Sequence, residues 1–310
     1  MSPVLPAVAW ITHPACFAHE MGVGHPECPA RLRAIESRLQ RSGVLERLQR
    51  LEAPRASREA LLRVHSAAHV DDVLDAPASG YRQIDPDTLA NPHTAEAAQR
   101  AAGAAVLAVD TVQAGQAELA FCAVRPPGHH AEYDHSMGFC FFDNLAVGAA
   151  HALAGGLRRI AVVDFDVHYG NGTANIFRND PRVLVCNTYQ SPLYPYWASD
   201  AANVHFVDVP LRAGTDGAAW RAAVERAWFP ALEAHRPELL FVSAGFDAHR
   251  DDPLAHLNLE AADYAWLAAW LQAFAARHCH GRVVATLEGG YDLHALAESV
   301  EAFLQPFLER

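Results

Sequence analysis

Short, wholly apolar runs alternate along the chain with longer segments in which apolar residues recur every three or four positions. The runs are VAWIT near the amino terminus, LAFCAV at 119–124, IAVVDF at 160–165, VLVC at 183–186, LLFVS at 239–243 and VVATL at 283–287. Their length, and their lack of polar alternation, fit strands buried on both faces. The amphipathic segments 29–41, 94–113, 143–154, 217–235, 259–277 and 292–308 read as helices. This alternation predicts an α/β fold with a mainly parallel central sheet covered by helices on both faces. No linker, repeat or block of like charge interrupts it, so residues 1–310 are expected to form a single domain. In such sheets ligands bind beyond the carboxyl ends of the strands.

Composition narrows the function without changing this architecture. The net charge is −12 and no basic stripe is present, which argues against direct nucleic-acid binding. All 24 basic residues are arginine, which excludes Schiff-base lysine chemistry and a P-loop lysine. The first 19 residues carry no charged side chain (His counted neutral), but they contain three prolines and no basic stretch, so neither a signal peptide nor a membrane span is expected. The six cysteines form no CxxC pair, and several sit in apolar segments. Reduced, buried thiols in a cytoplasmic protein are the expectation.

Polar chemistry collects at four strand ends. RPPGHH, with His129 and His130, follows 119–124; Asp164, Asp166 and His168 follow 160–163; AGFDAH, with Asp247, follows 239–243; EGGYD, with Tyr291, follows 283–287. Each alone has a plain explanation: a loop His pair, a helix-capping Asp, a turn. Four sets at one edge of one sheet read instead as an active site. In VVDFDVHYGNGT (162–173) the two aspartates and the histidine stand at every second position, so strand geometry would place them on one face.

Asp166, His168 and Asp247 offer two carboxylates and one imidazole. Three protein ligands with an open position describe a catalytic metal centre, and zinc, or redox-inert Fe(II) or Co(II), suits them. Such a metal acidifies water and polarises a carbonyl, a nearby histidine can act as general base, and a tyrosine after two glycines can donate to an oxyanion. Asp164 and Asn171 flank the ligands and suit the task of orienting the histidines. Together these groups point to metal-assisted hydrolysis of an amide or ester.

RPPGHH, DFDVHYGNG, SAGFDAH and LEGGYD, in this order, resemble the histone deacetylase superfamily, which includes bacterial deacetylase-like proteins and acetylpolyamine amidohydrolases. The likeness runs from GHPECPARL at 24–32 to LEGGYD, nearly the whole chain. It implies an arginase/deacetylase-like three-layer sandwich and one catalytic zinc ion on Asp166, His168 and Asp247. It further implies His129 paired with Asp164 in an electrostatic role, His130 as general base and then acid, Asn171 as its partner in the manner of the class II branch, and Tyr291 as oxyanion donor. Gly138, Phe139, Tyr194 and Leu254 would line an acyl-lysine tunnel, and Arg31 would lie near an internal acetate channel.

Three positions depart from the family pattern: Tyr169 stands where most relatives have histidine, and Asn187 and Tyr189 replace a common Ser and His. In the family, the segment that holds Asn187 and Tyr189 carries a structural potassium site, to which Asn187 could still offer an oxygen; a second cation site would use carbonyls near Phe177, Asp180 and Val183. The His- and Cys-rich stretch at 13–26 matches no standard zinc spacing and reads as an entrance loop. Acyl-lysine in proteins or peptides is the expected substrate. Small acetylated amines such as acetylpolyamines are the alternative, although the insertion typical of those relatives is absent from the short segment 75–93. An inactive binding protein is disfavoured because no proposed ligand or catalytic position is substituted.

Overall fold

The computed structural model describes residues 8–75, 77–196 and 203–309. The apolar runs become the middle of one eight-stranded sheet made of β1 (Val8–Thr12), β2 (Gln49–Glu52), β5 (Leu119–Cys122), β6 (Ile160–Asp164), β7 (Val183–Gln190), β8 (Phe206–Leu211), β9 (Leu239–Ala244) and β10 (Val283–Leu287). The spatial order is β2-β1-β5-β10-β9-β6-β7-β8, and every neighbouring pair is parallel. A separate antiparallel hairpin joins β3 (Arg82–Asp85) to β4 (Thr88–Ala90).

Every residue of β6, β9 and β10 is buried, as a continuous apolar run in a covered parallel sheet requires. The edges differ. β2, sequence QRLE, alternates half-buried with exposed positions, and five of the six residues of β8, sequence FVDVPL, are half-buried or exposed. Neither reads as an apolar run, so pattern alone misses both. Polar, half-exposed edges also discourage pairing with a foreign strand.

Helices α1 (Ala30–Arg41), α9 (Leu293–Leu308), α8 (Ala261–His278) and α7 (Gly217–His235) pack one on the next, while α4 (Thr94–Gln113) packs on α5 (Asn144–Ala154) against β1, β5 and β10. The result is the three-layer α/β sandwich. Side chains fix several helix starts: Asp143, Asp216 and Asp292 accept backbone N–H groups at α5, α7 and α9, and Glu260 with Asp263 forms a capping box on α8. The six long helices fall within a residue or two of the expected bounds. The short helices α2 (Arg58–Leu62), α3 (Ala67–Leu74) and α6 (Asn171–Phe177) are too brief to show a period in sequence.

The order of the central strands matters most for function. β5, β10, β9 and β6 are consecutive and parallel, so the four strand ends that carry the polar motifs open side by side at one edge.

Candidate active site

The strand-face explanation for Asp164, Asp166 and His168 does not hold: β6 ends at Asp164 and the chain leaves the sheet. The alternation comes from turns in which a carboxylate accepts the amide two residues on. Asp166 N donates to Asp164 Oδ1 at 3.1 Å, and His168 N donates to Asp166 Oδ1 at 2.9 Å. The other contacts tie the loops after different strands together, β6 to β9 and, across β9, β10 to β6. Val167 N donates to Asp247 Oδ1 at 2.8 Å, and Gly289 N donates to Asp166 Oδ2 at 2.8 Å. A Cβ at Gly289 would run into both the Asp247 and Asp166 carboxylates, so only glycine lets the β10 loop approach them.

These turns bring Asp166, His168 and Asp247 together. Their donor atoms lie within 4.8 Å of one another, the only such group of three among the described residues. His168 Nδ1 is 3.0 Å from Asp166 Oδ1 and 3.1 Å from Asp247 Oδ2. Burial alone would lower the His168 pKa; hydrogen bonds to Asp166 and Asp247 outweigh it and lift it to about 10. Burial, with Asp166 adding to it, pushes Asp247 up to about 7. Burial also works against ionised Asp166, yet His129 and His168 hold its carboxyl well below the usual range. Two carboxylates buried this completely require positive charge between them, and the set fits a divalent cation.

The two adjacent histidines meet different partners. Gly128 N and His129 N both donate to Glu288 Oε2, at 2.7 and 3.1 Å, and Gly172 N donates to the His129 carbonyl at 2.9 Å. The rings stand 4.0 Å apart. His129 Nδ1 lies 3.0 Å from Asp164 Oδ2, whereas His130 Nδ1 lies 2.7 Å from Asn171 Oδ1. Burial disfavours the cation at both. At His129 the charges of Asp166 and Asp164 reverse the outcome and raise its pKa well above the ordinary value. At His130 the neighbouring His129 and His168 reinforce burial and hold it well below.

A cavity of about 240 Å³ opens onto His130, His168 and Tyr291. Gly138, Phe139, Tyr194 and Leu254 line it, and so do three residues to which no sequence motif points: Asp87, Leu193 and Tyr196. Asp87 sits between the strands of the β3–β4 hairpin, whose sequence shows no period that would flag it. Phe139 is bulky and yet adopts φ 69°, with its N–H on Thr88 Oγ1 at 2.9 Å and its ring edge-on to His25 and Tyr291. Tyr194 stands edge-on to His130 at 5.3 Å. Burial raises the Tyr291 phenol well above its usual pKa, so it remains a donor.

Arg31, expected beside an internal channel, is completely buried and does not line the cavity. Its guanidinium lies 4.9 Å over the Tyr291 ring and donates to the carbonyls of Gly290 and Glu288. The three departures from the family pattern turn out to be one cluster. Tyr169 donates to Asp208 Oδ2 at 3.2 Å, Asn187 Nδ2 donates to Asp208 Oδ1 at 2.9 Å, and the Tyr169 and Tyr189 rings meet at 4.9 Å. Asp208 lies on β8, the strand invisible to the pattern. In the His- and Cys-rich stretch, Cys16 is buried with its thiol pushed up to about 11, and His25 touches Phe139. None of the six cysteines is in a disulfide, and no helix among the described residues is long and apolar enough to cross a membrane.

A family model described as the histone deacetylase domain matches residues 25–307. The chain is 39% identical over 295 residues to a histone deacetylase-like amidohydrolase of Pseudomonas aeruginosa, covering 93% of this chain and 76% of that protein. It is 36% identical over 291 residues to a probable deacetylase of Archaeoglobus fulgidus, covering 91% and 81%. Among solved structures, the crystal structure of the HDA15 HD domain matches with a TM-score of 0.92 at 33% identity, covering 97% of this chain and 88% of that one.

Proposed function

The chain belongs to the histone deacetylase family, and from that premise we propose that it is a zinc-dependent deacylase that hydrolyses the amide of acetyl-lysine or short-chain acyl-lysine. The observation that carries this reading is the unequal treatment of two adjacent histidines. One is paired with a carboxylate, the other with an amide, and only the second opens onto the cavity that His168 and Tyr291 also line.

Zinc held by Asp166, His168 and Asp247 would polarise the substrate carbonyl and acidify a water. The chain's own groups do the rest. His130 commits its Nδ1 hydrogen to Asn171 Oδ1, which leaves the Nε2 lone pair free to take a proton from the attacking water and return it to the leaving amine. His129, held as a cation between Asp164 and Asp166, supplies fixed positive charge beneath the reacting centre. Tyr291 donates a hydrogen bond to the carbonyl oxygen as negative charge develops there. A structural potassium ion would draw on Asn187 Oδ1, which is buried without a hydrogen-bond partner at the position paired with Asp164. The cytoplasm, where thiols stay reduced, is the proposed compartment.

Phe139, Tyr194 and Leu254 give the cavity apolar walls suited to the uncharged methylene stem of lysine. One observation favours a second reading, a small acetylated polyamine as substrate: the acidic residue Asp87 lines the same cavity, in a chain of net charge −12. Net charge acts at long range and raises encounter rates without reshaping the slot, so the apolar walls support acyl-lysine as the proposed substrate and Asp87 is the local group that supports the polyamine. The test is kcat/KM on zinc-loaded protein for acetyl-lysine peptides against N-acetylated putrescine, cadaverine and spermidine. A preference of about tenfold or more for an acetylpolyamine, ~1.4 kcal/mol in transition-state binding, would reverse the assignment.

A further inference from the structure

We propose that Glu132 is a positioning residue: it decides which nitrogen of His130 carries the hydrogen by fixing the direction in which the Asn171 side-chain amide faces. The inference rests on the reading of His130 as the proton carrier.

A side-chain amide has a donor end and an acceptor end of nearly the same shape, and its neighbours decide which way it points. Asn171 is completely buried, so water does not compete for either end. Its Oδ1 faces His130 Nδ1 at 2.7 Å, and its Nδ2 faces Glu132 Oε1 at 2.7 Å. A carboxylate oxygen accepts, so Glu132 calls for the NH2 end. That turns Oδ1 towards His130, and an oxygen at Nδ1 calls for a hydrogen there. Nε2 is left bare, as proton transfer at the cavity requires. With the amide turned over, NH2 would donate to Nδ1, the ring hydrogen would move to Nε2, and no lone pair would face the substrate.

The other acceptors near Nδ2 are poorer. The His130 carbonyl and Met137 Sδ both stand at 3.4 Å, the first a long contact and the second a weak acceptor. Glu132 is itself anchored: its N–H donates to the His135 carbonyl at 2.9 Å, and its carbonyl lies 2.9 Å from His65 Nδ1. His65 Nε2 in turn accepts from Asp143 N at 3.0 Å, so His65 Nδ1 carries the hydrogen and donates to Glu132. An aspartate in place of Asn171 would present oxygen in both directions and need no such partner. Glu132 is therefore the companion that the amide form of this site demands.

The test pairs a spectroscopic readout with kinetics. In zinc-loaded protein labelled with 15N-histidine, the His130 signals, assigned with a His130→Gln variant, should report Nδ1–H and a bare Nε2. Glu132→Leu should shift that population towards Nε2–H and lower kcat by roughly 10–100-fold, the usual cost of losing a group that orients a catalytic one, with KM unchanged. Glu132→Gln keeps a carbonyl oxygen for Asn171 and should retain the parent tautomer and most of kcat. In an Asn171→Asp background, Glu132→Leu should no longer lower kcat. If Glu132→Leu does not fold, Glu132→Ser, too short to reach Asn171, takes its place. An unchanged tautomer in the Leu or Ser variant, or an equal loss of kcat in both backgrounds, overturns the proposal. If the parent hydrolysed no acylated amine, the deacylase reading would fail, while the tautomer would still decide the role of Glu132.

Discussion

At the floor of the cavity, His129, His130, Asp164, Asp166 and Asp247 stand at the ends of, or on loops leaving, three of four adjacent central strands, and Glu288 and Gly289 from the fourth hold them in place. At the rim, Asp87 comes from a two-stranded hairpin, and Phe139, Tyr194 and Tyr196 come from excursions outside the sheet. The floor is over-determined. Its three aspartates each accept a backbone N–H, and all five groups are buried. The rim rests on fewer ties, and Tyr196 is 78% exposed. In the proposed deacylase, chemistry is thus assigned to buried, multiply tied side chains, and the choice of substrate to more exposed ones.

The sharpest division between the two regions would come from the metal ligands. Asp247→Ala removes one of the three proposed ligands and the acceptor of Val167 N, so bound zinc and activity should both be lost while far-UV circular dichroism stays that of a folded α/β protein. Metal analysis checks this: a full equivalent of zinc retained in the variant removes Asp247 from the ligand set. Tyr291 sits where floor and rim meet. Tyr291→Phe should keep zinc and substrate binding and lower kcat by roughly 10²–10³, because in the proposed mechanism the phenol acts only where charge develops. Turnover close to that of the parent would assign the oxyanion to another donor.

The same division explains what could be read from the sequence. Residues that follow an apolar run inherit their place from the run, so the sequence alone suffices to bring His129, His130, Asp166, His168, Asp247 and Tyr291 to one edge. The alternation at 164–168 is a true signal with a different cause, since turns rather than a pleat produce it. Asp87 is hidden because a three-residue strand in a hairpin carries no usable period. β8 is hidden because an edge strand is half-exposed, and with it goes Asp208, the residue on which Tyr169 and Asn187 converge. Glu132 is hidden because its importance lies in a contact with Asn171 across a gap of 39 positions, which no local spacing encodes.

The smallest expected effect is the one that tests whether the two regions are separable at all. His25 belongs to the entrance loop. Its Nδ1 accepts from Glu27 N at 3.1 Å, which leaves the ring hydrogen on Nε2, directed at the Asp87 carbonyl 3.2 Å away. Its ring meets Phe139 edge-on at 4.7 Å. One side chain therefore ties the loop, the hairpin and the cavity wall together. Phe139 has reason to need the support, because a bulky residue at φ 69° lies in the left-handed region that L side chains disfavour by roughly 1–2 kcal/mol. His25→Ala removes an aromatic contact worth about 1 kcal/mol, so KM for an acyl-lysine peptide should rise by roughly fivefold. If floor and rim are independent, kcat stays near the parent value, because the partners of His25 are Glu27, Asp87 and Phe139 rather than His130 or the metal ligands. Phe139 offers a route by which that independence could fail, since its ring also stands edge-on to Tyr291 at 5.8 Å. A fall in kcat larger than the rise in KM would mean that the wall also aims the phenol, and that the rim shares in the chemistry as well as in the choice of substrate.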